Sequence, residues 1–324
     1  MTEKVCILVF TCNRPKDLTR CLDSVTKQTY TNFDLLVVDN GTSPETDTLL
    51  KNYKARVIKD RTKKLSYLFN VGWKNAQAEI LGYLADDAEV EPTWLEQGLM
   101  SFKCNPQAAV ITGPLVSPLE FTGEMHALHV NAAKNPFLCL IAKFYDNFIL
   151  EGKTFEPCVL CESGSYTLGQ GFKPDFYEER EVDLATTSSM MIKRSALKTI
   201  GGFDENFMFN HADGDVFIQL KKKKYTIVYN PAMRAIHYVR LGPSRHPYFI
   251  GRDTAYFYLK DIHPRSIRGF FAALANIAIL NFYWVYKALK IKDIKQLQGI
   301  FGFLKGIGAY VWKKVTFNES SLLI

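Results

Sequence analysis

Two adjacent carboxylates, Asp86 and Asp87, directly follow an apolar run that extends from Glu79 to Leu84. Adjacent carboxylates repel each other, so they need water, a proton or a cation for compensation. A divalent cation held between them and a diphosphate would supply that compensation. The alternative is a solvated turn that opens the next helix near Pro92, because acidic residues are common in loops and at helix starts. The pair alone leaves both interpretations open.

Polar residues also follow the first two apolar runs of the chain. Residues 4–10 precede Thr11-Cys12-Asn13-Arg14, where Arg14 either suits a phosphate or a base or is a solvated arginine. Residues 33–38 precede Asp39, whose carboxylate could accept hydrogen bonds from a nucleobase imide or a ribose hydroxyl.

A second acidic pair and a histidine come later. Asp213 and Asp215 open a predicted helix, and the lysines at its far end, residues 221–224, are typical of a solvated helix terminus. His237 lies in a predicted strand over residues 233–238, where a lone histidine is more often packed than functional.

Strands and helices alternate through the first 85 residues, which predicts a parallel sheet with helices on both faces. The predicted strands cover residues 4–10, 33–39, 56–59 and 79–84. Because the carboxyl ends of parallel strands meet at one rim, we expect Thr11 to Arg14, Asp39 and Asp86-Asp87 to lie together. Neither a GxGxxG nor a GxxxxGK[ST] stretch occurs, so acids, an arginine and a metal would hold a nucleotide here.

The remaining pattern predicts a helix over 92–104, a strand over 108–115, a strand over 189–192 and a strand over 226–229. Residues 116–181 are poorly periodic, and so long a connection is typical of a lid or an acceptor-facing insertion.

Composition limits the classes of function. A net charge of +7 over 324 residues suits an anionic substrate or membrane surface and is too weak to indicate nucleic acid. Seven dispersed cysteines and a first strand that starts near Lys4 favour a reducing, cytoplasmic setting. Cys158 and Cys161 form a lone CxxC without a second pair, which disfavours a zinc site.

Taken in order, these motifs resemble those of family 2 glycosyltransferases of the GT-A fold, the inverting enzymes that use nucleotide-sugar donors. The resemblance covers residues 4–240 and includes bacterial galactofuranosyl- and rhamnosyltransferases. It rests on Thr11 to Arg14, Val37 to Gly41, Leu84 to Glu89, Gly201 to Glu205 and Ala212 to Asp215.

The resemblance implies a role for each matched residue. Asp213 would be the general base that deprotonates the acceptor hydroxyl, and Asp87 with His237 would ligate Mn²⁺ or Mg²⁺. The residues implied in nucleotide-sugar binding are Thr11, Asn13, Arg14, Asp39, Asn70 and Asp86. The implied partners are a UDP- or dTDP-linked sugar and a glycan or lipid-linked acceptor.

Two positions depart from the family pattern. Ala85 replaces the first acid of the metal motif, and Ala212 replaces an acid that usually precedes the base. These departures keep open a degenerate sugar-nucleotide-binding or membrane-scaffolding protein without transferase activity. A sugar-phosphate nucleotidylyltransferase shares the general fold but opens with a glycine-rich arginine loop, which Thr11 to Pro15 is not.

The sequence divides into a catalytic domain, residues 1–245, and a helical extension, residues 246–324. Residues 269–286 form an apolar run with basic flanks, slightly short for a membrane span and interrupted by Asn276 and Asn281. Basic and aromatic residues around this run and around residues 300–315 favour helices at a membrane interface, peripheral on the inner face of the cell membrane. A helical cap, a homo-oligomer contact and a true span are the alternatives.

Overall fold

The computed structural model describes residues 3–62, 64–117, 136–168, 178–239 and 245–321. Within them the strands are β1 Val5–Thr11, β2 Phe33–Asp39, β3 Ala55–Lys59, β4 Ile80–Ala85, β5 Ala88–Val90, β6 Ala108–Thr112, β7 Leu115–Val116, β8 Val159–Leu160, β9 Tyr166–Thr167, β10 Arg180–Val182, β11 Ser189–Lys193, β12 Thr226–Tyr229 and β13 Ala235–His237. The α-helices are α1 Pro15–Thr26, α2 Pro44–Leu50, α3 Leu65–Asn75, α4 Trp94–Cys104, α5 Pro136–Phe144, α6 Arg194–Ile200, α7 Ala212–Lys222, α8 Pro247–Asp261, α9 Ile267–Ile291 and α10 Gln298–Ser321.

Eight strands form one mixed, mostly parallel sheet in the order β10-β12-β6-β11-β4-β1-β2-β3. The strands β3, β2, β1 and β4 run parallel, as the alternation of strands and helices predicts. By contrast, β11 is antiparallel to both of its neighbours, β4 and β6. The α/β fold is therefore confirmed, with one central strand reversed.

The sheet is buried on both faces. Cys6, Leu8 and Phe10 of β1 enter one core, and the alternate residues of the strand enter the other. Strands covered on both faces are continuous apolar runs, which explains why β1 and β4 are so visible in the sequence.

A small second sheet places His237. Its order is β5-β13-β7, and the antiparallel pairing of β13 with β5 sets His237 opposite Ala88. The backbone N–H of Tyr238 donates to the Asp87 carbonyl at 2.9 Å. The predicted strand over 108–115 is interrupted, because β6 joins the large sheet and β7 joins this one.

The C-terminal helices are tied to the sheet and to each other. Tyr256 and Phe257 of α8 belong to the same core as Phe10 of β1. The backbones of α8 and α10 lie so close that a Cβ added at Gly251 would collide with the carbonyl of Gly299. The domain boundary at residues 245 and 246 stays a prediction. Much of the predicted insertion over 116–181 lies outside the described residues.

Candidate active site

A cavity of about 750 Å³ lies at the carboxyl ends of β1 and β4. In the strand register Thr11 is level with Asp39, and Phe10 is level with Ala85. The predicted residues that line the cavity are Thr11, Arg14, Asp86, Asp87, Asp213 and His237. The rim of the sheet and the start of α7 therefore line the same cavity.

Asp86 is held on both carboxylate oxygens. Thr11 Oγ1 donates to Asp86 Oδ2 at 2.8 Å, and Arg14 Nη1 lies 3.3 Å from Oδ1. Burial raises the pKa of Asp86 to about 6, against the opposing effect of Arg14. A carboxylate in this state is a good acceptor for ribose hydroxyls or a neighbour for a cation, because both stabilise its charged form.

Asp87 and His237 form a pair that suits a divalent cation. His237 Nε2 lies 3.0 Å from Asp87 Oδ1, and both side chains are largely buried. Two ligands of one cation, each about 2.1 Å from it, are separated by about 3 Å, so this spacing fits. No group of three histidine, cysteine or acidic side chains at metal-binding distance occurs in the described part of the chain. The two residues therefore fit a cation that takes further ligands from a bound diphosphate.

Asp213 lies in the first turn of α7, where a helix N-terminus favours a carboxylate. Its Oδ2 accepts only long hydrogen bonds from Thr187, 3.4 Å from the backbone N and 3.5 Å from Oγ1. Ser188, the next residue, accepts a hydrogen bond from the backbone N–H of Ala85 at 3.2 Å. The start of α7 is thus connected to the end of β4 through the loop before β11.

Helix α8 fixes the loop that leads to Asp213. The carboxylate of Asp253, fully buried, accepts hydrogen bonds from the backbone N–H groups of Met208, Phe209 and Asn210 at 2.8–3.1 Å. His211, at the end of that loop, stacks on Phe257 with the ring centroids 4.8 Å apart. Burial lowers the pKa of His211, which favours its neutral form. A buried carboxylate that accepts hydrogen bonds from three backbone donors holds the loop in one conformation.

A charged network ties the same loop to α8 and α10. Lys260 lies 2.7 Å from Asp204 and 2.7 Å from Asp215, and Lys313 lies 2.8 Å from Asp204. Against the effect of burial, Lys260 holds the pKa of Asp204 well below its usual range. Asp215 is thus occupied by an ion pair, whereas Asp213 faces the cavity.

Three residues predicted to bind the nucleotide sugar do not line the cavity. Asp39 is fully buried, with Lys59 Nζ at 2.5 Å and the backbone N–H of Gly41 at 2.7 Å. Asn13 caps the next loop by accepting from the backbone N–H groups of residues 42 and 43 at 2.7 and 2.9 Å. Here Asn40, next to Asp39, lines the cavity instead.

Asn70 is the third of these residues. Its amide donates to the carbonyl of Phe203 at 2.9 Å, and its Oδ1 accepts from the backbone N–H of Phe203 at 2.9 Å. The side chain is buried and joins α3 to the loop after α6. Its hydrogen-bonding groups are committed to the protein, so its position gives no support to a role in donor binding.

The two alanines that replace acids differ in position. Ala85 lines the cavity beside Asp86, whereas Ala212 is buried in the core that contains Phe10 of β1. A charge at position 212 would need its own partner in that core. Of the two positions where the resembled family has an acid, position 85 lies at the cavity and position 212 does not.

The C-terminal helices supply part of the cavity wall that the sequence patterns missed. Tyr258 Oη donates to the carbonyl of Ser163 at 2.8 Å and accepts from Asn276 Nδ2 at 2.6 Å. Tyr258 and Asn276 both line the cavity. The sequence feature that could have revealed this wall is the set of polar residues, Thr254 and Asn276 among them, inside otherwise apolar and aromatic helices.

Residues 6–201 match the family described as Glycosyl transferase family 2. This match covers more than half of the chain. The chain belongs to glycosyl transferase family 2.

Relatives of this family 2 chain match at low identity. The O-antigen biosynthesis protein RfbC of Myxococcus xanthus is 27% identical over 247 residues, which are 73% of this chain and 17% of RfbC. The glucosyl-dolichyl phosphate glucuronosyltransferase of Haloferax volcanii is 24% identical over 36% of this chain and 39% of that protein. An N-acetylglucosaminyl-diphospho-decaprenol L-rhamnosyltransferase of Mycobacterium tuberculosis is 30% identical over 26% of this chain and 29% of its own length. The chain thus spans well under half of each relative.

A solved structure confirms the fold of this family 2 chain. It is a crystal structure of GalNAc-T7 with UDP, GalNAc and Mn²⁺, and it matches with a TM-score of 0.56 at 13% identity. The match covers 79% of this chain and 50% of the other. It bears out the predicted GT-A fold.

Proposed function

We propose that this chain transfers a sugar from a nucleotide-sugar donor to a hydroxyl group of a glycan or lipid-linked acceptor. The observation that carries the proposal is that two separate acidic groups, Asp86-Asp87 and Asp213, line one cavity. A single displacement that inverts the anomeric carbon needs a base on one face of the sugar and stabilisation of the leaving group on the other. One acidic group can serve each task.

Asp213 is the proposed general base. From the described residues its Oδ2 accepts only long hydrogen bonds, so the oxygen is available to take the proton of the acceptor hydroxyl. The proton moves to that oxygen as the hydroxyl oxygen attacks the anomeric carbon.

Asp87 and His237 are the proposed ligands of Mn²⁺ or Mg²⁺, because their donor atoms lie 3.0 Å apart. When bound, the cation would neutralise charge on the leaving diphosphate. Arg14, within 3.5 Å of both acids, adds a fixed positive charge at the same place. Thr11 orients Asp86 beside the expected donor. GalNAc-T7, whose fold this chain shares, is described with UDP and Mn²⁺, which supports a nucleotide-sugar donor and a cation as such.

The names of two relatives support a role in surface polysaccharide or glycolipid synthesis. RfbC is described by O-antigen biosynthesis, and the Mycobacterium protein by rhamnose transfer to a lipid-linked sugar. We therefore expect UDP- or dTDP-linked donors, with galactofuranose and rhamnose among the sugars to test first.

Release of the nucleoside diphosphate from a panel of nucleotide sugars, with and without Mn²⁺, tests the proposal. We expect release with one donor, an increase with Mn²⁺, and an anomeric product inverted relative to the donor. The Asp213→Asn variant should lose about 100-fold or more in transfer rate, since a general base contributes that much. Transfer near the wild-type rate in this variant would refute the role of Asp213.

The competing function is nucleotide-sugar binding without transfer, which the alanine at position 85 favours because it leaves one acid fewer at the rim. Donor binding measured by calorimetry, combined with no release on any acceptor, would support that alternative.

A further inference from the structure

Exposed apolar side chains form a stripe along α9. Ile267, Phe271, Leu274, Phe282 and Leu289 are between 49% and 78% exposed. Their spacing of three, four, seven or eight residues puts them on one face of the helix. Exposed contiguous apolar surface of this kind marks an interaction site.

The opposite face of α9 is packed on the protein. Trp284 and Asn276 are 6% and 2% exposed, and Asn276 donates to Tyr258 at 2.6 Å. Among the described residues, α9 is the one helix long and apolar enough to cross a membrane. Of its most apolar stretch of 18 residues, 28% are buried in the protein. If α9 crossed a membrane, the contacts of Trp284 and Asn276 with the protein would be lost. The helix therefore keeps one face on the protein and the other face exposed.

Helix α10 repeats this arrangement. The faces of Gly299 and Gly302 lie against other parts of the protein, where a Cβ would collide with Trp284 and with the carbonyl of Tyr248. Leu304 and Trp312 of the same helix are 60% and 73% exposed. Both C-terminal helices therefore have one packed face and one exposed apolar face.

The positive charge of the chain is concentrated in this segment. Residues 263–316 contain nine lysines and arginines and a single acid, Asp293. The rest of the chain has 31 basic and 32 acidic residues, so the net charge of +7 arises entirely from the C-terminal helices. Several of these lysines lie over aromatic rings of their own helix, such as Lys290 over Tyr286 and Lys305 over Phe301, each at 5.5 Å. This arrangement keeps the charge beside the apolar surface.

We infer that the exposed faces of α9 and α10 bind the surface of an anionic phospholipid bilayer, with the helices lying in the interface. Apolar area and basic charge on one amphipathic segment are the two features that such binding requires. A second copy of the chain fits less well, because a symmetric contact would bring two strongly basic segments together. Lipid binding of this kind needs no sugar transfer and can be measured independently of the proposed function.

Flotation of the full chain with vesicles tests the inference. One set is phosphatidylcholine alone, and the other contains about one third phosphatidylglycerol. We expect at least about tenfold stronger binding to the anionic vesicles at about 0.1 M salt, and a large loss at about 1 M salt. Equal binding to both vesicle types, or no binding to either, would overturn the inference.

Two variants separate charge from apolar contact. Exchanging Lys290, Lys305 and Lys314 for glutamine should weaken binding to anionic vesicles roughly 100-fold, since each surface lysine contributes about fivefold. Exchanging Phe282, Leu289 and Trp312 for serine should weaken it at least about tenfold. All six side chains are exposed or half-exposed, so the melting temperature should stay unchanged.

The matched control exchanges three exposed lysines of the sheet domain, Lys16, Lys51 and Lys103, for glutamine. This control should bind anionic vesicles within about twofold of the wild-type chain, and an equal loss in both lysine variants would contradict a localised surface. A full-length dimer in light scattering that the serine variant converts to a monomer, without any vesicle binding, would assign the face to a second copy.

Discussion

The two acidic groups of the cavity are held in different ways. Asp86 and Asp87 follow β4 directly, and their position is set by the pairing of β4 with β1, which puts Ala85 level with Phe10. Asp213 lies on a helix start whose preceding loop is held by Asp253, 40 residues further along the chain. The first group depends on neighbouring strands, and the second on a helix outside the region that matches the family.

Because different parts of the molecule hold Asp86-Asp87 and Asp213, the geometry of the two acidic groups can change independently. The proposed donor and cation site at the rim of the sheet is built from residues that change little in relative position, because parallel strands fix their ends together. The position of Asp213, the proposed base, depends on how α8 is packed, so helices outside the matched region can adjust the proposed acceptor side. Separate substitutions in the two regions should therefore have separable effects on donor and acceptor kinetics.

The largest expected effect comes from the rim. Asp87→Asn should lower the transfer rate at least about 100-fold and raise the Mn²⁺ concentration for half-maximal activity, because it removes the charged one of the two proposed ligands of the cation. Steady-state rates over a range of Mn²⁺ concentrations measure both. Asp86→Asn is the matched control, expected to raise the KM for the donor while leaving the Mn²⁺ response within about threefold. The same Mn²⁺ response in the Asp87 variant as in the wild type would remove Asp87 from the metal site.

The loop before α7 should give an intermediate effect. Asp253→Asn removes the charge that three backbone N–H groups contact, so the loop loosens and kcat should fall about 10- to 100-fold. The KM for the donor should stay within about twofold, because no described donor-side residue contacts Asp253. Asp253→Glu keeps the charge and should recover part of kcat. If the KM for the donor rises with the fall in kcat, the two regions are not separable.

The smallest expected effect concerns stability alone. Burial, together with the neighbouring Asp215, raises the pKa of Asp261 to about 8 from 3.8. The folded state thus keeps a proton that the unfolded state loses, and the stabilisation present below pH 3.8 disappears as the pH rises through about 8. The unfolding free energy should fall over this range by at most about 1.4 kcal/mol per pH unit from this group.

The Asp261→Asn variant tests this contribution, since asparagine resembles the protonated acid and keeps an acceptor for Gln219, which lies 3.1 Å away. Its melting temperature should fall less than that of the wild type between pH 5 and pH 8. Transfer rates should be unchanged, because Asp261 does not line the cavity. Parallel melting curves for the two proteins over this range would show that Asp261 titrates normally.

The sequence patterns predicted which strand ends form the rim of the sheet, but not how the loop before α7 is held. The apolar runs of β1, β2 and β4, with polar residues directly after them, predicted which chain segments meet. They did not predict that the side chains of Asn13 and Asn70 would hydrogen-bond to backbone groups. Nor did they predict that Asp39 would form an ion pair with Lys59. Hydrogen bonds of that kind depend on which distant group comes within about 3 Å, and no spacing in the chain encodes it.

What the sequence determined by itself was the set of reactive residue types, their order and the strands that carry them. These properties are local, because an apolar run and the residue after it are neighbours in the chain. The tertiary structure alone decided that β11 runs antiparallel, that His237 lies 3.0 Å from Asp87, and that α8 fixes the approach to Asp213. Each of these contacts joins segments at least 40 residues apart, and packing of the cores brings such segments together.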